Sequence, residues 1–297
     1  LVRPNITSAT ETVCTSGCNG TAQSASSQHT VQVTLKDAFG NLRSEVNATE
    51  SGSTVGRPGS MFSSKHEDGL TVFLESQTNP NERVYGDIAF VRGANYNATY
   101  TPSGLDETAT SRTFGSSELT VQVSRVGGLN GTYHRGTNLN MPVYERLDET
   151  IDFSFTQAFP DTGGLVPADF FSVRWNGLIR PLADETYTFK AVTLASSGST
   201  GKEGVRLWLS GLHTGRLALL IDRWNGVATE YSGTMGMLVD KLYDIQLEYK
   251  DTHASSKIRL LWKSASQGSS FVVVPSNRLY YDAAFVADSP SSVTVNA

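Results

Sequence analysis

Apolar and polar residues alternate one for one in segment after segment of this chain. In TVQVTLKD the residues Val31, Val33 and Leu35 share one face, and in ELTVQVSR Leu119, Val121 and Val123 do the same. ETYTFKAV offers Tyr187 and Phe189, and YDIQLEYK offers Tyr243, Ile245, Leu247 and Tyr249. KIRLLWKS offers Ile258, Leu260 and Trp262. A period of two is what a half-buried strand requires, because successive side chains leave a pleated backbone on opposite sides. Gly-, Asn- and Ser-rich turns such as DAFGN, EDG and SGSTG separate these runs. Only PADFFSV suggests a helical turn. The pattern predicts an all-β chain built of sandwiches or barrels.

With 297 residues, 38% of them hydrophobic and 18% charged, the chain has room for two domains with separate cores. Trp175, Trp208, Trp224 and Trp262 all lie in the second half, while the first 130 residues hold no tryptophan. The two domains are therefore expected to differ in kind. In or beside strands, these tryptophans are expected to pack in the core or on a sheet face.

A net charge of −5 with scattered Lys and Arg leaves no basic face for phosphates, which argues against nucleic acid as a partner. No apolar run approaches the roughly 20 residues of a membrane span. The chain opens at Leu1 without a methionine or a leader, as expected of a processed product or an excised segment. Asn5, Asn19, Asn47, Asn97 and Asn130 each begin an Asn-x-Ser/Thr sequon. Their concentration in the first part of the chain, beside two close cysteines, predicts an extracellular glycoprotein. Cys14 and Cys18 are expected to form a local disulfide, the alternative being a bridge to another chain. The five histidines are dispersed, so no metal-ligand spacing arises and no cofactor is expected.

No G-x-S-x-G occurs, and neither cysteine has a histidine near it in sequence. Asp148, Glu149, Asp152 and Glu203 are the acids available for a glycosidase pair, but acids beside turns are ordinarily solvated. GSTGKEG precedes a strand instead of opening a helix, unlike a phosphate loop. No enzyme activity is expected.

From GGLNGTYHRGTNL through RLDETIDFSF, DFFSVRWNGLIRP, ETYTFKAV, EGVRLWLSG, LLIDRWNG, DKLYDIQLEYKD and SSKIRLLWKS to VVVPSNRLYY, the chain resembles the PA14 domain, a β-sandwich module of toxins, adhesins and glycosidases. The resemblance covers about 150 residues in the family's order. Flanking it, SQHTVQVTLKDAFGNLR, ANYNATYTPSG and SSELTVQVSRVGG look like strands of a filamin-type immunoglobulin-like repeat. The valine-rich last strand of such a repeat is missing after Gly128 and stands instead in DSPSSVTVNA at the end of the chain. We therefore expect a filamin-type domain over 1–126 plus 283–297, with a PA14 domain at 127–282 inserted before its last strand. Three units in line is the alternative.

In sugar-binding PA14 relatives, two adjacent aspartates before the strand that resembles GVRLWLSG help to hold calcium. The resemblance places Lys202 and Glu203 there, and Asp222 and Asn225 in the other ligand loop, where turn capping is their plainer role. Calcium needs six to eight oxygens in one place, and Lys202 brings a positive charge instead, so this reads as a degenerate site without metal. The expected function is an extracellular structural module, one repeat of a longer end-to-end array, in which the PA14 part makes lateral contacts with neighbouring copies. A carbohydrate-binding adhesin module, with glycans as partners, is the alternative. An accessory domain of a glycosidase would need a catalytic domain elsewhere.

Overall fold

The computed structural model describes residues 13–16, 23–24, 27–36, 39, 42, 69–76, 83–92, 95–102, 116–155, 164–194, 203–210, 217–225, 229–239, 241–252, 256–285 and 291–296. They fall into two compact units. One comprises Leu1–Arg125 and Asp282–Ala297, the other Val126–Ser210 and Leu217–Tyr281.

The first unit contains β1 (Val13–Ser16), β2 (Gln23–Ser24), β3 (His29–Thr34), β4 (Gly69–Ser76), β5 (Arg83–Tyr85), β6 (Asp87–Arg92), β7 (Asn95–Tyr100) and β8 (Ser116–Val126). One sheet runs β1-β3-β7-β6, with Val31 opposite Ala98 and Val33 opposite Tyr96. The alternation read in the sequence is what buries it: Val31, Val33, Ile88, Tyr96, Ala98 and Tyr100 are all inaccessible. β4 pairs with β5 and β8, bringing Leu70, Val72 and Leu74 opposite Val123, Val121 and Leu119. Among the described residues, an isolated antiparallel bridge pairs Lys36 with Leu42.

The second unit contains β9 (Leu129–Arg135), β10 (Pro142–Asp148), β11 (Asp152–Phe155), β12 (Phe171–Ile179), β13 (Glu185–Thr193), β14 (Gly204–Ser210), β15 (Leu217–Arg223), β16 (Glu230–Met237), β17 (Tyr243–Asp251), β18 (Ser256–Lys263), β19 (Val272–Val273) and β20 (Leu279–Phe285). Its larger sheet runs β15-β14-β17-β12-β9-β10, with β20 also pairing with β12. Its smaller sheet runs β11-β18-β13-β16, with β19 on β18. Trp175 and Trp262 are fully buried between their faces. Trp175 stacks on Phe153, and Trp262 stacks on Tyr187 at 5.0 Å between ring centres.

The Trp175 indole N–H donates to Asp148 Oδ2 at 2.6 Å, Tyr133 donates its hydroxyl to the same oxygen, and Arg146 Nε donates to Oδ1 at 2.6 Å. Asp148, 4% exposed, is thus a buried carboxylate with three donors. Gly131 permits this, since a Cβ there would stand 2.7 Å from Asp148 Oδ2 and 2.9 Å from Trp175 Nε1.

The PADFFSV segment is not helical. Phe170 stands at φ 58°, in the left-handed region, which interrupts any turn of helix, and β12 begins at the next residue. Finally, β21 (Ser291–Asn296) returns the chain to the first unit, where it pairs antiparallel with β8 and parallel with β2.

Candidate functional site

The alternation that buries Val205, Leu207 and Leu209 of β14 turns Arg206 and Trp208 to the outer face of the larger sheet. On β17 it turns out Gln246, Glu248 and Lys250, and on β12 Arg174 and Asn176. Register aligns Asp222, Arg206, Glu248, Arg174 and Thr132 in one row across five strands. Glu248 is the hub of this row. Arg174 reaches its Oε1 with Nε and Nη2 at 2.8 and 2.7 Å, and Arg206 Nη2 lies 2.5 Å from its Oε2. Glu248 is 2% exposed on its side chain, against 37% and 30% for the arginines. The carboxylate is therefore covered by its partners, and the arginine heads are held in fixed positions at the surface.

At one end of this face the turn after β15 folds over the start of β14. Gly204 makes that possible, because a Cβ there would collide with the Trp224 carbonyl oxygen. Arg206 then lies between two half-buried tryptophans, with Cζ 4.2 Å from the Trp224 ring centre and 5.2 Å from that of Trp208. The Lys250 ammonium is 5.1 Å from the Trp224 ring and donates to Asn225 Oδ1 at 3.0 Å. Burial, and then the Arg206 charge, lower the Lys250 pKa.

The residues singled out for a degenerate calcium loop divide. Asn225 is in this cluster, and Asp222 is exposed on β15 opposite Arg206. Glu203 turns the other way. Its Oε2 accepts from the Leu194 amide at 2.6 Å, and its Oε1 accepts from the Tyr249 hydroxyl at 2.9 Å and the Lys257 amide at 3.3 Å. Burial pushes its pKa up to about 7, against the opposing pull of these donors. Lys202 lies outside the described residues. Among the described residues, no group of three or more His, Cys, Asp or Glu is placed to hold a metal ion.

Of the acids considered for catalysis, Asp148 is held in the core, Asp152 pairs with Arg259 at 2.6 Å, and Glu203 ties three segments together. Cys14 is disulfide-bonded, while Cys18, the other cysteine of the chain, lies outside the described residues. Asn130 is exposed on β9, and Asn97 is half-buried on β7. Asn5, Asn19 and Asn47 lie outside the described residues.

Sequence reasoning did not single out Arg174, Arg206, Glu248 or Lys250. Alternation alone marks each of them as outward-facing, but only the register shows that they meet.

A stretch 35% identical over 162 residues occurs in the anti-sigma-I factor RsgI3 of Acetivibrio thermocellus, covering 54% of this chain and 22% of that protein. A solved anti-sigma factor domain-containing protein is 33% identical, covering 52% of this chain and 47% of its own, with a TM-score of 0.43. Another, from Clostridium clariflavum, is 17% identical and covers 92% of both chains, with a TM-score of 0.44. The chain thus spans less than half the length of the first two. No helix among the described residues is long and apolar enough to cross a membrane. The profile of the PA14 domain matches residues 126–274, the stretch that folds into the two-sheet unit bearing the Arg206–Trp224 cluster, and the chain belongs to the PA14 domain family.

Proposed function

We propose that this chain is a non-catalytic extracellular module whose PA14 unit recognises carbohydrate on the outer face of its larger sheet, without calcium. The observation that carries this reading is the cluster of Trp224, Arg206 and Trp208, with Lys250 and Asn225 beside it. Half-exposed indoles offer apolar surface to a sugar ring, and fixed N–H donors around them take its hydroxyls. Arg206 is anchored by Glu248, so little side-chain entropy is lost when a ligand arrives. The disulfide at Cys14 and the sequons, of which Asn130 is surface-exposed, fit an oxidising, extracellular setting. The test is a glycan array probed with the full chain, followed by calorimetry with and without chelator. We expect binding that survives chelator and weakens about tenfold in Trp224→Ala. No glycan binding under either condition overturns the reading, and binding that vanishes with chelator overturns its calcium-free part.

A second reading concerns the other unit. The antiparallel pairing of β21 with β8 favours a discontinuous immunoglobulin-like domain of filamin type that carries the PA14 unit as an insertion. Such domains would act as spacers between neighbouring copies. Replacing 129–282 by a short turn should leave a cooperatively folding domain. If that chain is unfolded while 1–126 alone folds, units in line are correct.

A further inference from the structure

The smaller sheet of the PA14 unit has an outer face of its own. β13 buries Tyr187, Phe189 and Ala191 and turns out Thr188 and Lys190. Thr188 stands opposite Lys263 of β18, and Lys190 stands opposite Ser232 of β16. The pairing of β18 with β19 sets Leu261 against Val273 and Trp262 against Val272. One further step in that register brings Phe271 over Lys263. The ring is shared: the Lys190 and Lys263 ammonium groups lie 4.2 and 4.7 Å from its centre. Around it opens a pocket of about 410 Å³, lined among others by Thr188, Lys190, Glu230, Ser232, Lys263 and Phe271. That volume is in the range of small-molecule sites, about 300–1,000 Å³.

The charges in this pocket do not balance. Glu230 pairs with Lys190 at 2.8 Å, from the rim, with its side chain 55% exposed. Among the described residues no acid pairs with Lys263, whose ammonium faces the same ring as that of Lys190. A single anion placed between them would relieve the repulsion of two like charges in a partly desolvated setting. The Thr188 and Ser232 hydroxyls beside the lysines both donate and accept, which matches a polyhydroxylated ligand better than an acidic side chain with a carboxylate alone. We infer that this pocket binds the ring of an acidic sugar through its carboxylate or sulfate group, on the Lys190–Lys263–Phe271 cluster. The site is independent of the tryptophan face on the larger sheet and requires a different ligand charge.

The experiment is an NMR titration of the labelled full chain with glucuronate, glucose 6-sulfate, neutral glucose and a tri-aspartate peptide. We expect saturable shifts at Lys263, Ser232 and Phe271 with one or both acidic sugars. The stronger of the two identifies the source of the anion. The affinity should fall about tenfold in Lys263→Gln and in Lys190→Gln, and should weaken with salt. Dispersed amide spectra of both variants confirm that they fold. Equal binding of neutral glucose, tighter binding of tri-aspartate, or unaltered affinity in both variants overturns the inference. Shifts confined to the Trp208 and Trp224 indoles overturn it too, while leaving the first reading in place.

Discussion

The Lys250 ammonium donates to the Asn225 side-chain oxygen at 3.0 Å. The oxygen of Asn225, a residue that the resemblance to PA14 relatives places in a ligand loop, thus already accepts from a cation, and Glu203 has its oxygens engaged by the Leu194 and Lys257 amides and the Tyr249 hydroxyl. Millimolar calcium is therefore expected to give no saturable heat and to leave the thermal midpoint unchanged. A shift of several degrees on adding calcium contradicts this, because specific binding to the folded state must stabilise it.

Glu203 makes stability depend on pH. Its carboxyl titrates near 7 in the folded chain, raised by burial from an ordinary 4.5. Between those values the folded chain holds a proton that the unfolded chain has released, so this group's contribution to stability falls as pH rises through the window. Glu203→Gln should flatten that component of the thermal midpoint measured between pH 4.5 and 7.5. An identical pH profile for the two proteins would show that Glu203 titrates normally.

Removing the hub of the charged row should cost more than removing a surface ion pair. Glu248→Ala leaves Arg174 and Arg206 facing each other without their shared carboxylate. Breaking a fully buried pair costs about 3–5 kcal/mol. These arginines are about one-third exposed, so solvent screening reduces the expected loss to about 1–3 kcal/mol. Chemical denaturation measures it, and a loss below about 0.5 kcal/mol would place Glu248 among ordinary surface acids.

Gly131→Ala is expected to destabilise by about 1–3 kcal/mol, since the added methyl meets Asp148 and Trp175 within the buried hydrogen-bond cluster. The substitution preserves the Asn130–Thr132 sequon, so glycosylation does not confound the measurement. An unchanged denaturation midpoint would mean that the cluster has room to shift.

Glycopeptide mapping after secretion from a eukaryotic host should find Asn130 occupied more fully than Asn97. Both residues are flanked by strands on both sides, but Asn130 is exposed whereas Asn97 is half-buried. Register also places Asn130 in one row with Asn176, Gln246 and Trp208. A glycan there would stand about 14 Å from Trp208, three strand spacings away, and its removal should enhance any binding on that face. Preferential occupancy of Asn97 would refute the accessibility argument.

The amino-acid sequence by itself determined the strands and their inner faces. Val31 and Val33, Tyr187 and Phe189, and Ile258 to Trp262 alternate as read and are buried as read, because period-two burial is local and needs no knowledge of the partner strand. The order of the PA14 strands was legible for a different reason, the resemblance of successive motifs to that family. What joins distant segments was not. Trp175 and Trp262 belong to the core while Trp208 and Trp224 flank Arg206 on the surface, and nothing in the spacing of four tryptophans separates the two pairs. Glu203 lies one residue from the strand that carries Arg206, yet it faces Tyr249 and Lys257 while Arg206 faces Glu248. Only the tertiary structure decided these partners. Side-chain direction follows from the backbone of one strand, but which charges and rings meet depends on the register between strands far apart in the chain.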